Sequence, residues 1–497
     1  MSQLFAKKPL KLLLEEMQSE NRLRRVLGPV QLTALGVGAI IGAGIFVVTG
    51  VAAHDVAGPA LMLSYCVAGV ACIFAALCYA EFASMVPVAG SAYTYAYATL
   101  GELFAWIIGW DLVLEYAVGS ATVANGWSSY FQEVLAKFNL HFPASLAGPP
   151  IGFDATGHVI STGALINLPA VLIVCLVTAV LVKGIQESAG FNSAMVALKV
   201  GVVLFVIIAG AFYVNPDNWK PFAPYGMSGL TILGHSIGGQ VGANGQPVGM
   251  LAGAGIIFFA YIGFDSVSTH AEEAKRPNRD VPIAIVASLL LCTVLYIAVV
   301  AVLTGMVPYN QIDVGAPVSA AFKAVGMHNA EFLIAAAGVA GITSVLLVMM
   351  LSGPRVFLAM ARDGLVPQSF FGAVHPRFRT PWKTTILIGV FVAAMAGFLP
   401  INILSNLCNI GTLLAFVIVC AAVLIMRRTN PDAERPFRCP LVPLFPILGI
   451  LSCLLLMFSL PHENWWRLGA WLGLGLLIYF AYGWRHSRLA NKGGSGG

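Results

Sequence analysis

Residues 36–46 read GVGAIIGAGIF, and residues 253–265 read GAGIIFFAYIGFD. Each stretch sits in an apolar run long enough to cross a bilayer: Val26 to Ala53 carries no charge, and a second run covers 249–271. Glycine weakens a helix by about 1 kcal/mol per residue relative to alanine. Four glycines among positions 36–44 therefore predict a helix that stops in mid-membrane. Unwinding there frees N–H and C=O groups that have no water to bond. Such groups suit a zwitterion: the N-terminus of a half-helix offers N–H groups to a carboxylate, freed carbonyls accept from an ammonium, and glycine allows close approach. One glycine pattern alone would read as small-residue helix packing. Two at matching places predict a substrate site.

The surrounding chain of 497 residues is 58% hydrophobic and 10% charged, with a mean hydropathy of +0.85. A soluble domain carries about a quarter charged residues, so this composition excludes a cytosolic enzyme, a secreted domain and a disordered protein. Apolar runs predict twelve spans: 26–53, 57–80, 102–130, 164–182, 189–214, 249–271, 281–307, 330–356, two within 384–426 divided at Pro400 and Asn402, 441–460 and 464–484. With the N-terminus inside, the inner segments hold 22 of the 27 Lys and Arg. The outer ones hold Lys137, Lys220, Lys323 and Arg467, and Lys199 falls within a span. This bias predicts a multi-pass protein of the cell membrane with both termini cytoplasmic. The bases are spread over several loops, which argues against a nucleic-acid partner for the net charge of +5.

Spans one to five and six to ten then run in opposite directions, each set led by a glycine-interrupted helix. The expected fold is all-α integral membrane, with twelve transmembrane helices, a five-plus-five inverted repeat and discontinuous helices 1 and 6. Residues 1–25 read as a cytoplasmic amphipathic segment, 26–214 as the first repeat, 215–428 as the second, and 429–488 as helices 11 and 12. Residues 489–497 read as a tail ending in an appended GGSGG. Eight of the nine cysteines lie in apolar runs, and Cys439 follows a basic segment. Cys66, Cys72 and Cys78, six apart, turn about 120° from one to the next on a helix, so they read as packing rather than metal ligands.

GAIIGAGIFVVTG at 38–50, GWDLVLEY at 109–116, FFAYIGFDSVSTHAEEAKRPNRDVPIAIVASLL at 258–290 and RVFLAMARDGLVP at 355–367 together resemble the amino acid–polyamine–organocation (APC) superfamily, and within it the cationic amino acid transporter family. The resemblance covers spans one to ten. It implies alternating access and transport of an α-amino acid. It also implies that the backbone of Ile41, Gly42, Ala43, Gly44 and Ile45 meets the substrate's carboxylate and amine. Carbonyls near Phe259, Ala260 and Ile262 would share the amine, and Phe259 would act as an aromatic gate.

Ionisable groups at membrane depth are costly and usually functional. Lys199 lies eleven residues along the fifth span from Ser188, roughly 16 Å deep. An ammonium there is poised to load and lose a proton during a transport cycle. In sodium-coupled relatives the resemblance places a sodium site in this region, which a lysine would replace. Many cationic-family members carry a neutral residue here, so the chain is closer in this respect to proton-coupled bacterial members. The alternative is a structural lysine donating to carbonyls of the broken first helix, and the two roles are compatible. Asp111 and Glu115 lie four apart on one helical face, Glu115 thirteen residues beyond an interfacial Glu102. Asp265 lies seven residues deeper than Glu272. Glu115 and Asp265 read either as an acidic wall for a cationic side chain or proton, or as hydrogen-bonded structure; Asp111 reads as structural. Met349 reads as a limit on side-chain size or as plain packing. Arg355, Arg362 and Asp363 read as an inner gate or loop brace at the cytoplasmic end of the eighth span, and Glu272, Glu273, Lys275 and Arg276 as a solvated loop.

The expected function is secondary active transport of an L-amino acid across the cytoplasmic membrane, with the proton as coupling ion, no other cofactor and no metal. An exchanger and a non-transporting amino acid sensor are the alternatives. No nucleophile–base pair, HExxH or phosphate loop is present, so an enzyme is not expected. The 131–163 loop has no cysteine for a disulfide-linked heavy chain, and a small single-span subunit is left open. The resemblance points to cationic substrates, whereas Met349 and Lys199 lean toward neutral ones.

Overall fold

The computed structural model describes residues 3–9, 27–85, 91–153, 159–184, 189–232, 235–242, 245–269 and 274–489. Most of the expected amphipathic segment, the Glu272–Glu273 pair and the tail from residue 490 lie outside the described residues. The chain folds as α1 (Pro29–Ile40), α2 (Leu61–Met85), α3 (Ser91–Thr99), α4 (Glu102–Ala136), α5 (Leu168–Lys183), α6 (Ala189–Ala211), α7 (Met250–Ile257), α8 (Pro277–Met306), α9 (Pro317–Ala324), α10 (His328–Arg362), α11 (Trp382–Phe398), α12 (Ile401–Thr429), α13 (Leu444–Phe458) and α14 (His462–Ile478). Among the described residues, six helical stretches are long and apolar enough to cross a membrane: Pro29–Met85, Glu102–Ala136, Ala194–Ala211, Pro277–Met306, His328–Arg362 and Ile401–Thr429. The last two helices qualify together across a bend of 111°, while α5, Met250–Tyr261 and α11 are apolar but shorter. Three small antiparallel hairpins decorate the loops: Ile151–Phe153 with Val159–Ser161, Leu230–Ile232 with His235–Gly238, and Gln240–Val241 with Pro247–Val248.

Proline and glycine set most boundaries. Pro29, Pro277 and Pro317 begin α1, α8 and α9, where a missing N–H costs no helical bond. The uncharged run over 384–426 divides at Pro400, as its length requires. Asn167 caps α5 by accepting from the Ala170 amide at 3.3 Å. The same side chain donates to Asn125 Oδ1 at 2.9 Å and accepts from Ser128 at 2.7 Å, tying α5 to α4. The short helices α3 and α9 have no counterpart in the apolar runs, because neither is long enough to leave one.

Helices pack in sequence-distant pairs. α4 lies along α10, α2 along α8 and α5 along α11, while α6 touches α1, α8 and α10. Between them both glycine-studded stretches leave helical form. α1 ends at Ile40, and Ile41 is extended (φ −72°, ψ 103°). The chain resumes in a wide turn over Gly44–Val48. α7 ends at Ile257 and tightens through Phe258–Tyr261 into an extended Ile262 (ψ 132°). Gly263 follows at φ +118°, a conformation that a side chain disfavours. The two breaks touch: a Cβ on Gly44 would lie 2.3 Å from Ala260 Cα, and one on Gly263 would lie 2.9 Å from the Ala39 carbonyl oxygen.

Three charged clusters gather away from the breaks. Glu81 receives Arg427 through Nε and Nη2 (2.9 and 2.8 Å), the Cys439 amide (2.8 Å) and, at 3.3 Å, Arg435. Asp363 receives Lys8 (3.0 Å) and Tyr93 (2.7 Å), contacts that fit either a gate or a brace. Glu102, at the start of α4, is buried, and Tyr97, Tyr479 and Ser487 donate to it. Burial and the neighbouring carboxylates push the Tyr93 and Tyr97 phenols up, so both stay neutral donors.

The contact at Gly44 leaves no room for a methyl group. Gly44→Ala is expected to lower the melting midpoint in detergent by about 5 °C or more, as overpacking of a tight core does. Gly201→Ala, where a Cβ meets nothing within 4 Å, serves as control. Equal midpoints for the two variants would show that the breaks are not in close contact.

Candidate functional site

The site assembles around carbonyls that the first break releases. Gly38 O accepts from Lys199 Nζ at 2.6 Å, Ile40 O from the Tyr296 hydroxyl at 2.8 Å, and Phe46 O from Tyr130 at 2.7 Å. Gly44 O accepts from Thr49 at 3.1 Å, and Thr49 in turn pairs with Tyr65 at 2.7 Å. Rings of Tyr65, Tyr261 and Tyr296 meet edge to face or tilted at 5.5–6.1 Å, and Tyr261 donates to Tyr65 O at 2.9 Å. This clasp joins α2, α8 and both breaks.

Lys199 is 1% exposed. Its stem runs past Gly341 on α10, where a Cβ would come 3.2 Å from Lys199 Cγ. Val345, one turn on, covers Gly42, and Met349, a further turn on, covers Gly119 of α4. Spacing of four puts all three on one face of α10. The structure therefore brings Lys199 to the first break. It sets Met349 over α4, beside Cys408, rather than against the backbone of Ile41–Ile45.

At the second break Asn409 of α12 donates through Nδ2 to Gly255 O (3.0 Å) and Ile256 O (2.8 Å). Phe259 O accepts from the Ile262 amide at 3.2 Å, which leaves one of its lone pairs for another donor. Phe259, Ala260 and Ile262 are all buried. Asp265 accepts from Tyr116 at 3.0 Å, and its carbonyl accepts from Ser268 at 2.6 Å. Glu115, the residue before Tyr116, has no hydrogen-bond partner for either oxygen among the described residues. Its charge is felt by Asp265 and Asp111, and Thr412 comes near. The Thr412 hydroxyl, however, donates to Cys408 O at 3.3 Å. Asp111, expected to be structural, is buried against Gly411 with neither oxygen partnered among the described residues. Glu115 and Asp265 thus share one wall, joined to the second break through Tyr116. Among the described residues no group of three or more His, Cys, Asp or Glu is placed to hold a metal ion.

Sequence reasoning found the two breaks and the lysine but missed Asn409, Tyr130, Tyr296 and Tyr116. A signal existed for them: each carries a hydrogen-bonding group within a membrane helix, which in hydrocarbon must bond something.

The geometry agrees with what sequence comparison finds. The profile of a family described as amino acid permease matches residues 27–475. A methylthioribose transporter of Bacillus subtilis is 46% identical over 492 residues, covering 99% of this chain and all of that protein. A branched-chain amino acid permease of the same organism is 46% identical over 486 residues, 98% of each. Vacuolar cationic amino acid transporter 4 of Arabidopsis thaliana is 38% identical over 418 residues, 83% of this chain and 65% of its own length. With apolar helices throughout and two breaks held open between them, the chain belongs to the amino acid permease family of the APC superfamily, a multi-pass membrane transporter and not an enzyme.

Proposed function

We propose that the protein is a proton-coupled transporter of L-amino acids in the cell membrane, working by alternating access. The observation that carries this reading is the bond from Lys199 Nζ to the Gly38 carbonyl, one turn before the first break. A charge-assisted hydrogen bond is roughly twice as strong as a neutral one. Loss of the lysine's proton would weaken that grip, so the shape of the break, and with it substrate affinity, depends on the proton.

Twelve spans in two inverted halves fit the helix pairing. If α1 and its continuation, α2, α4, α5 and α6 form one half, and α7 and its continuation, α8, α10, α11 and α12 the other, four of the five pair with their own counterparts: break with break, α2 with α8, α4 with α10 and α5 with α11. A two-fold axis between the halves produces that pattern. Helices α13 and α14 follow outside the repeat, and the distribution of Lys and Arg puts both termini in the cytoplasm.

In this reading the backbone of Ile41–Ile45 takes the substrate's carboxylate and amine, and Ala260 and Ile262 share the amine below a Phe259 gate. Glu115 and Asp265 form an acidic wall, and Met349, packed against Gly119 of α4, limits the side chain. The amino acid class follows the family, and the branched-chain amino acid permease of Bacillus subtilis favours an uncharged side chain over a cationic one.

Proteoliposomes with radiolabelled L-alanine, L-leucine and L-arginine test both roles. Lys199→Ala is expected to abolish accumulation driven by an inward proton gradient while leaving counterflow exchange measurable. Accumulation that still tracks the gradient would remove the lysine from coupling. Met349→Ser is expected to raise uptake of larger or basic substrates several-fold relative to L-alanine; removing about two buried methylene equivalents of bulk is worth ~1–3 kcal/mol of discrimination. An unchanged competition profile would take Met349 out of the pocket.

A further inference from the structure

We infer that Asn409 is a positioning residue for substrate binding, the proton-insensitive counterpart in the second half of the lysine in the first. The inference rests on the two-halves transport reading above.

Lys199 is the eleventh residue of α6 and Asn409 the ninth of α12. Each of these helices is the fifth of its half in that reading. Each sends a nitrogen to the broken helix that leads the same half. Lys199 reaches Gly38 O, three residues before extended Ile41; Asn409 reaches Gly255 O and Ile256 O, three and two residues before Phe258, where α7 gives way to the tight turn. The two contacts match in helix, depth and position relative to the break.

The amide's orientation follows from what it faces. Turned the other way, Asn409 would set Oδ1 against two carbonyl oxygens, which repel it. With Nδ2 on the carbonyls, both amide hydrogens are used. Oδ1 is then left buried and without a partner among the described residues, on a side chain with no exposure. An unbonded buried acceptor is unfavourable, so holding the two carbonyls outweighs it. Asn409 is thus committed to the break.

A primary amide keeps both donors at every accessible pH, whereas an ammonium gives up its charge when it loses a proton. The hold on the second break therefore does not change with protonation. The first is held by a group whose grip follows the proton. Asn409 makes no contact that the structure assigns to the reacting ion, and it acts on the substrate only through the carbonyl ladder of residues 255–260.

Two variants in proteoliposomes, with L-alanine, L-leucine and L-arginine as probes, test this. Asn409→Leu keeps the volume and removes both donors; KM is expected to rise about tenfold, the value of two released hydrogen bonds. Gradient-driven accumulation should still track pH in that variant, because the lysine is intact. Asn409→Asp restores one donor only when protonated, so its KM relative to the unmutated protein should rise as the pH is raised from about 5 to about 8. A KM unchanged in both variants, or lowered melting midpoints with unchanged KM, would overturn the inference. If Asn409→Leu does not reconstitute, the Asp variant decides alone, and a ratio flat against pH overturns it. Absence of uptake by the unmutated protein would instead overturn the transport reading, and this inference with it.

Discussion

A peptide group inside hydrocarbon has no water to turn to, and every feature of this site answers that constraint. Breaking α1 at Ile41 and α7 at Phe258 strands carbonyls that a continuous helix would have bonded. The fold meets each with a side chain from another helix: Lys199, Tyr296 and Tyr130 at the first break, Asn409 at the second. These donors come from α6, α8, α4 and α12, so four helices are positioned by the need to bond two short stretches of backbone. The bonded carbonyls flank the breaks, and the segment between them is what remains to offer a zwitterion.

Contact between the breaks follows from the same requirement. Two unwound segments can share neighbours only if they approach closely, and side chains prevent that. Gly44 against Ala260, and Gly263 against Ala39, bring backbone to backbone between the two broken helices. Lys199 passes Gly341 under a similar economy of space. The glycines thus do two things: they permit the break, and they let the two breaks form one surface. A change in either segment is transmitted directly to the other, because no flexible side chain lies between them to absorb it.

Much of this was legible beforehand, and the parts that were not have a common cause. Glycine spacing located both breaks, and hydropathy with its proline division at 400 placed the long helices. Lys199 stood out because a charge in an apolar run is unmistakable. Asn409, Tyr130 and Tyr296 did not, since a neutral polar residue in a span is compatible with many partners and only the fold chooses one. The partners of Glu102 were hidden for another reason. Tyr479 and Ser487, more than 370 residues away, fold back over it. Contacts at such separation leave no local trace. Short α3 and α9 were invisible because a window tuned to 20-residue spans averages over them.

The acids show the same divide between type and place. Asp111 and Glu115 lie on one face, as their spacing requires, yet only Asp265, at the second break, receives a hydrogen bond from the α4 wall, through Tyr116. That bond makes α4 a witness to the state of the second break. α10, packed along α4, carries the face that touches the first break through Val345 and the lysine through Gly341. The helix pair α4–α10 therefore links Lys199 to Tyr116 and its partner Asp265 by direct packing. A lysine in place of Asn409 would have set two like charges in the same low-dielectric interior. One lysine and one amide instead hold the two broken helices with a single ammonium.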